Sequence, residues 1–164
     1  MIISHSEDIL LGGIDSIITC MSIIVVFSSS NTLYIPLLLG LTIANTISDG
    51  ISMFASSYLS KDLSHQKDAL TRSMYTWIAF TFTGFLPIIP FILQHLNVIN
   101  VSKNVMFKTS YVIALCILLI FALYGIDWNT DNITNTNIQV HLVRSILLPT
   151  SAIFVAYIIG RQFA

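Results

Sequence analysis

Five apolar stretches, each close to the roughly 20 residues a helix needs to cross a bilayer, make up most of this 164-residue chain. They run from about 9 to 27, 33 to 59, 73 to 93, 110 to 126 and 142 to 163. Each is apolar on every side, so soluble helices built from them would have no wet face. Charged residues are 9% of the chain, against about 25% in ordinary soluble domains. Hydrophobic residues are 55%, and mean hydropathy is +0.83. The expectation is an all-α integral membrane protein: one membrane domain over 1–164, a bundle of five transmembrane helices with the lipid bilayer as its first partner. A net charge of −1 leaves no basic face for nucleic acid.

The connections predict the topology. Only the turn Ser28-Ser29-Ser30-Asn31 separates the first two spans, so these form an antiparallel hairpin. The second link, Lys61 to Asp68, is the most charged stretch. The third, Asn97 to Lys108, is polar, and the fourth, Asp127 to Gln139, reads as a mobile Asn- and Thr-rich loop. Lys61, Lys67, Arg72 and Arg144 fall on one side, and Lys103, Lys108 and Arg161 on the other. That excess favours a cytoplasmic N-terminus. The N-terminal segment lacks a basic n-region and a cleavage site, so the first apolar run is expected to be retained. The sequons at Asn100 and Asn132 lie on opposite sides and decide nothing.

Pro87 and Pro90 remove backbone donors from the third span and predict a bend there. Pro36 falls in the first turn of the second span, where a missing N–H matters little. Gly40, Gly50, Gly84, Gly125 and Gly160 suit close helix packing. Cys20 and Cys116 are expected to be buried small hydrophobes. The histidines, His5, His65, His95 and His141, sit near span ends or in links and form no i, i+4 ligand pair. No nucleophile–base set, phosphate loop or cofactor box is present, so an enzyme is not expected.

Two carboxylates interrupt the apolar runs. Asp15 lies in the first span and Asp49 in the second. An acid at membrane depth costs about 2.5–3.5 kcal/mol on insertion scales, and it marks an ion path, a proton relay or a buried partner. Asn45, Asp49 and Met53 recur every fourth residue and share one helical stripe, with Ser48, Ser52 and Ser56 on its flank. The first span repeats this in short form with Asp15 and Thr19. Carboxylate, amide, hydroxyl and thioether ligands suit a divalent transition metal, the thioether favouring Fe²⁺ over Mg²⁺ or Ca²⁺. The absence of His and thiolate at the span centres argues against a tight zinc site. Each acid also has the plainer role of a helix-packing hydrogen bond, and Met53 that of packing.

Several segments resemble the vacuolar iron transporter family. Leu11-Gly12-Gly13-Ile14-Asp15-Ser16 resembles its first-span motif. Ala44-Asn45, followed by Ser48-Asp49-Gly50-Ile51-Ser52-Met53 and Tyr58-Leu59-Ser60, resembles its second-span signature. Gly84-Phe85-Leu86-Pro87-Ile88-Ile89-Pro90-Phe91 is similar to its third-span motif, and Tyr157-Ile158-Ile159-Gly160-Arg161 to its ending. The resemblance covers nearly the whole chain in order. It implies a two-fold homodimer with the ion path on the axis, carrying Fe²⁺ or Mn²⁺ out of the cytosol in exchange for protons. It implies a vacuolar or other endomembrane location in a eukaryote, and pathway roles for Asp15 and Met53. A further pathway position, commonly Glu in the family, is Asn45 here. Asn offers an oxygen but takes up no proton, and Asp49, one turn on, is positioned to supply the carboxylate. About a dozen residues stand where plant members carry an iron-collecting domain, and Ala55-Ser56-Ser57 replaces a segment that holds Glu.

The expected metal ligands are therefore Asp15, Asn45, Asp49 and Met53, assisted by Thr19 and Ser52. No resident cofactor is expected, because the metal is cargo. The alternative is a structural membrane protein that kept the fold and lost transport, as the missing acids and the short link suggest.

Overall fold

The structure is a computed structural model that describes residues 5–29, 34–124 and 135–163, with side chains over 5–29, 34–124 and 146–162. The described residues form helices and turns only. In chain order the helices are α1 (Ser6–Ser29), α2 (Ile35–Leu63), α3 (Ala69–Phe85), α4 (Ile89–His95), α5 (Lys103–Tyr124) and α6 (Asn135–Phe163). By length and composition α1, α2 and α5 can each cross a bilayer, and α3 with α4 makes a fourth crossing if the bent pair is one span. The apolar part of α6, Ile146–Gln162, is shorter.

Helix α1 is the hub, packed against α2, α3, α5 and α6. Its Ile17, Cys20, Met21 and Ile24 are buried with Leu38 of α2, Phe91 of α4, Leu118 of α5 and Ile153 of α6. Glycine lets the backbones meet. A Cβ on Gly12 would collide with the Thr76 carbonyl oxygen of α3, and one on Gly13 with the Phe121 ring of α5. A Cβ on Gly84 would lie 2.5 Å from Ser16 Oγ and 2.9 Å from Thr46 Cγ2. Small residues thus join α1, α2 and α3 at one level of the bundle. There Ser16 Oγ donates to the Phe80 carbonyl at 2.5 Å, satisfying a buried hydroxyl within the contact. Many large apolar side chains point outward, among them Phe82, Ile120, Leu148 and Phe154, which suits lipid contact.

Several expectations need correction. The bend expected at Pro87 and Pro90 is present, at 52°, and it goes further than a kink, because the helix breaks there into α3 and α4. Pro87 and Pro90 donate no hydrogen bonds, and the chain between the helices is held by short-range bonds such as Leu86 N–H to the Thr83 carbonyl (3.3 Å). Helix α2 continues to Leu63 and α3 begins at Ala69, so the start of the charged link, Lys61 to Leu63, is helical and the turn is confined to residues 64–68. Left-handed backbone at His65 (φ 54°) and Asp68 (φ 63°) reverses the chain between them. Residues 135–139, expected in a loop, open α6, whose Asn- and Thr-rich start suits a helix N-terminus. Cys20 is buried as expected, but Cys116 is exposed on α5, where a thiol faces lipid without penalty. Gly40 meets no close neighbour, whereas Gly50, Gly84 and Gly160 do. Gly125 and Asn132 lie outside the described residues.

Candidate functional site

The two interior acids belong to adjacent helices. Asp15 is half-buried on α1 and Asp49 half-buried on α2. Asp49 is the charged side chain that acts electrostatically on Asp15. Among the described residues no lysine, arginine or histidine pairs with either carboxylate. Asn45 Nδ2 donates to Asp49 Oδ2 at 2.7 Å across one helical turn, so the amide fixes the carboxylate's orientation. The structure therefore brings Asn45, Asp49 and Asp15 into one neighbourhood. Thr19 is half-buried one turn beyond Asp15 on α1.

Met53 continues the stripe one turn past Asp49. It lines an open groove of ≈ 390 Å³ together with Leu11, which is one turn before Asp15. Ser52 turns away from this site and is exposed. With Gly40, Ala44, Ser48 and Ser56 it makes an i, i+4 row of small residues down α2, all exposed in the single chain.

A feature the sequence reading missed closes the far end of the groove. Asp8, 3% exposed, bridges two cations from two other helices. Lys61 Nζ lies 2.8 Å from Asp8 Oδ1, and Arg72 Nε lies 2.7 Å from Asp8 Oδ2. Lys61 also donates to Ser57 Oγ at 2.5 Å, and Arg72 Nη1 to Gln66 Oε1 at 2.8 Å. Glu7, exposed, stands 3.8 Å from Arg72 Nη2. Acid at the start of one span and base at the end of its antiparallel neighbour was the available signal.

Thr81 was also missed. Its Oγ1 is buried with no hydrogen-bond partner, and a Cβ on Gly50 would lie 3.2 Å from it. A hydroxyl without a partner thus borders α2 at Gly50. Nothing in the sequence separates Thr81 from Thr76 or Thr83, which bond carbonyls of their own helix.

No three His, Cys, Asp or Glu side chains gather among the described residues in a way that could hold a metal ion. The interior set is two carboxylates, one amide and, a turn away, a thioether. Compared with protein-family models, curated proteins and solved structures, the chain finds no match.

Proposed function

We propose that this chain transports a divalent transition metal, Fe²⁺ or Mn²⁺, across an endomembrane in exchange for protons. The observation that carries this reading is the pair Asp15 and Asp49: two half-buried carboxylates from adjacent apolar helices, with no basic partner. Such a pair is expensive at membrane depth unless something positive occupies it. A proton on either acid, or a divalent cation between them, supplies that charge. Because the same oxygens take one or the other, loading the metal releases protons. Asn45 contributes an oxygen and holds Asp49, Met53 offers a soft ligand on the route to the groove, and Thr81 offers an unpaired hydroxyl.

In this proposal the protein is a five-span homodimer. The exposed row Gly40, Ala44, Ser48, Ser52 and Ser56 supports pairing through α2, because small residues let helices approach closely in lipid. Pairing there sets the Asn45–Asp49–Met53 stripe beside the axis and gives Ser52 a place near the path. The resemblance to vacuolar iron transporters agrees with this arrangement. The test is Fe²⁺ and Mn²⁺ uptake into liposomes with an acidic interior, and the expected result is saturable uptake that Asp15→Ala abolishes. Uptake unchanged in that variant would overturn the path.

The small number of strong ligands favours a second reading, a structural membrane protein without transport. It predicts no thermal stabilisation in detergent by Fe²⁺ or Mn²⁺ beyond that by Mg²⁺.

A further inference from the structure

At the end of the bundle away from Asp8, the last turn of α1, the first turns of α5 and the last turns of α6 enclose an open cavity of ≈ 550 Å³. Gly160 makes this junction possible: a Cβ there would lie 2.6 Å from Ser29 Oγ and 3.0 Å from Val26 Cα, so α6 sits directly on α1. The polar lining is Lys108 and Asn104 from α5, Tyr157 and Arg161 from α6, and Ser28 and Ser29 from α1.

The charge is one-sided. Among the described residues two cations line the cavity and no acid does. Neither Lys108 nor Arg161 has an ion pair or hydrogen bond among the described residues, in contrast to Lys61 and Arg72 at the other end. They are not taken up in capping α1 either. Ser28 Oγ donates to the Val25 carbonyl and Ser29 Oγ to the Val26 carbonyl, each at 2.7 Å, so the helix end supplies its own donors there. That leaves the ammonium, the guanidinium, the Tyr157 hydroxyl and the Asn104 amide as the donor groups lining one space. A guanidinium fork next to an ammonium suits the paired oxygens of a phosphate.

The position selects the source of that phosphate. Helix α1, with 24 residues, is about 36 Å long at ~1.5 Å per residue, so its ends reach the headgroup layers of a bilayer about 30 Å thick in its core. Tyr157 is the residue type found at that level. Ile158, next to Tyr157 on α6, and Phe154, one turn further inward, are exposed and offer an apolar surface for acyl chains. Basic pockets between membrane helices bind anionic headgroups on the cytoplasmic side of membranes, and the same pairing of basic side chain with phosphate is available at this end of the bundle.

We infer that this cavity binds the phosphate of an anionic phospholipid, held by Lys108 and Arg161. The inference is independent of metal transport, since it uses neither Asp15 nor Asp49. The test uses the full chain in detergent, titrated with phosphatidylglycerol, phosphatidylcholine or inorganic phosphate and followed by native mass spectrometry and thermal unfolding. Phosphatidylglycerol should bind saturably, and the double variant Lys108→Gln/Arg161→Gln should weaken it by tenfold or more, roughly the effect of two basic residues at a membrane surface. Both side chains are exposed, so the variant should fold, and its unliganded melting temperature checks this. Lys67→Gln, an exposed charge at the opposite end, should leave binding unchanged. Equal binding of phosphatidylcholine, equal binding of inorganic phosphate, or equal weakening by Lys67→Gln would each overturn the proposal.

Discussion

Asp8 and Asp15 lie two turns apart on the same helix and meet opposite fates. Asp8 is buried and held by Lys61 of α2 and Arg72 of α3. Asp15 is half-buried, and the charge that acts on it is another acid, Asp49 of the neighbouring helix. In the first case the protein supplies the compensating charge, and the carboxylate becomes a fastener joining three helices. In the second no basic side chain among the described residues compensates the carboxylate, which is the feature the proposed transport rests on. A membrane acid is therefore read by what faces it rather than by its depth alone.

The largest test of the contrast is Asp8→Ala. It leaves Lys61 and Arg72 without their carboxylate in a site where their side chains are 11% and 23% exposed. Breaking a buried pair from one side costs about 3–5 kcal/mol. The lower end applies here, because Arg72 keeps Gln66 and lies near Glu7. A loss of about 3 kcal/mol is expected in denaturant unfolding of the micelle-bound protein. A loss under about 1 kcal/mol would place these charges among solvated surface pairs and dissolve the distinction.

Much of this arrangement was legible in the sequence. Asp15, Asn45, Asp49 and Met53 were visible because an acid stands out in an apolar run and a helix period is simple to count. The bonded pair Asn45–Asp49 follows directly from i, i+4 spacing. Asp8 was not legible, because a charge near a span end looks solvated until its neighbours are known. The break between α3 and α4 was half legible: the prolines announce a bend, but its size depends on where α4 finds Phe91 a place in the core. Thr81 and the cavity at Lys108 and Arg161 depend on helix-to-helix register, which spacing within one helix does not contain.

Gly12 lies between the two acids and sharpens the comparison by a smaller amount. A methyl group there would overlap the Thr76 carbonyl oxygen, which is backbone and cannot swing aside. Gly12→Ala should therefore push α1 off α3, strain the Asp8–Arg72 bond and cost about 1–3 kcal/mol, as overpacking does. Gly40 has open space around it, so Gly40→Ala should leave the single chain unchanged or raise its stability by up to about 1 kcal/mol. The two variants measured side by side in the same unfolding experiment separate tight packing from helix propensity. Equal effects would mean that α1 moves freely against α3, and then the partners of Asp8 and Asp15 would not be fixed.

The smallest effect on stability is expected from Asp15→Asn. The variant keeps the size of the side chain and removes a charge that no basic group compensates. The change should be within about 1 kcal/mol, and any shift should be toward greater stability, because no ion pair is lost and the repulsion from Asp49 is relieved. Removing Asp8 from the same helix should have the opposite sign and about three times the size. The near-silent outcome is informative because, under the proposed transport, the parent chain should be stabilised thermally by Fe²⁺ or Mn²⁺ and the same variant should lose that stabilisation. Normal stability with metal stabilisation lost would identify Asp15 as a site rather than a fastener. A loss of stability comparable to that of Asp8→Ala would show that Asp15 has a partner of its own in the membrane, and the division between the two acids would fall. Unchanged stability with metal stabilisation retained would keep the division but remove Asp15 from the metal's path, leaving Asp49 with Asn45 and Met53 to carry it.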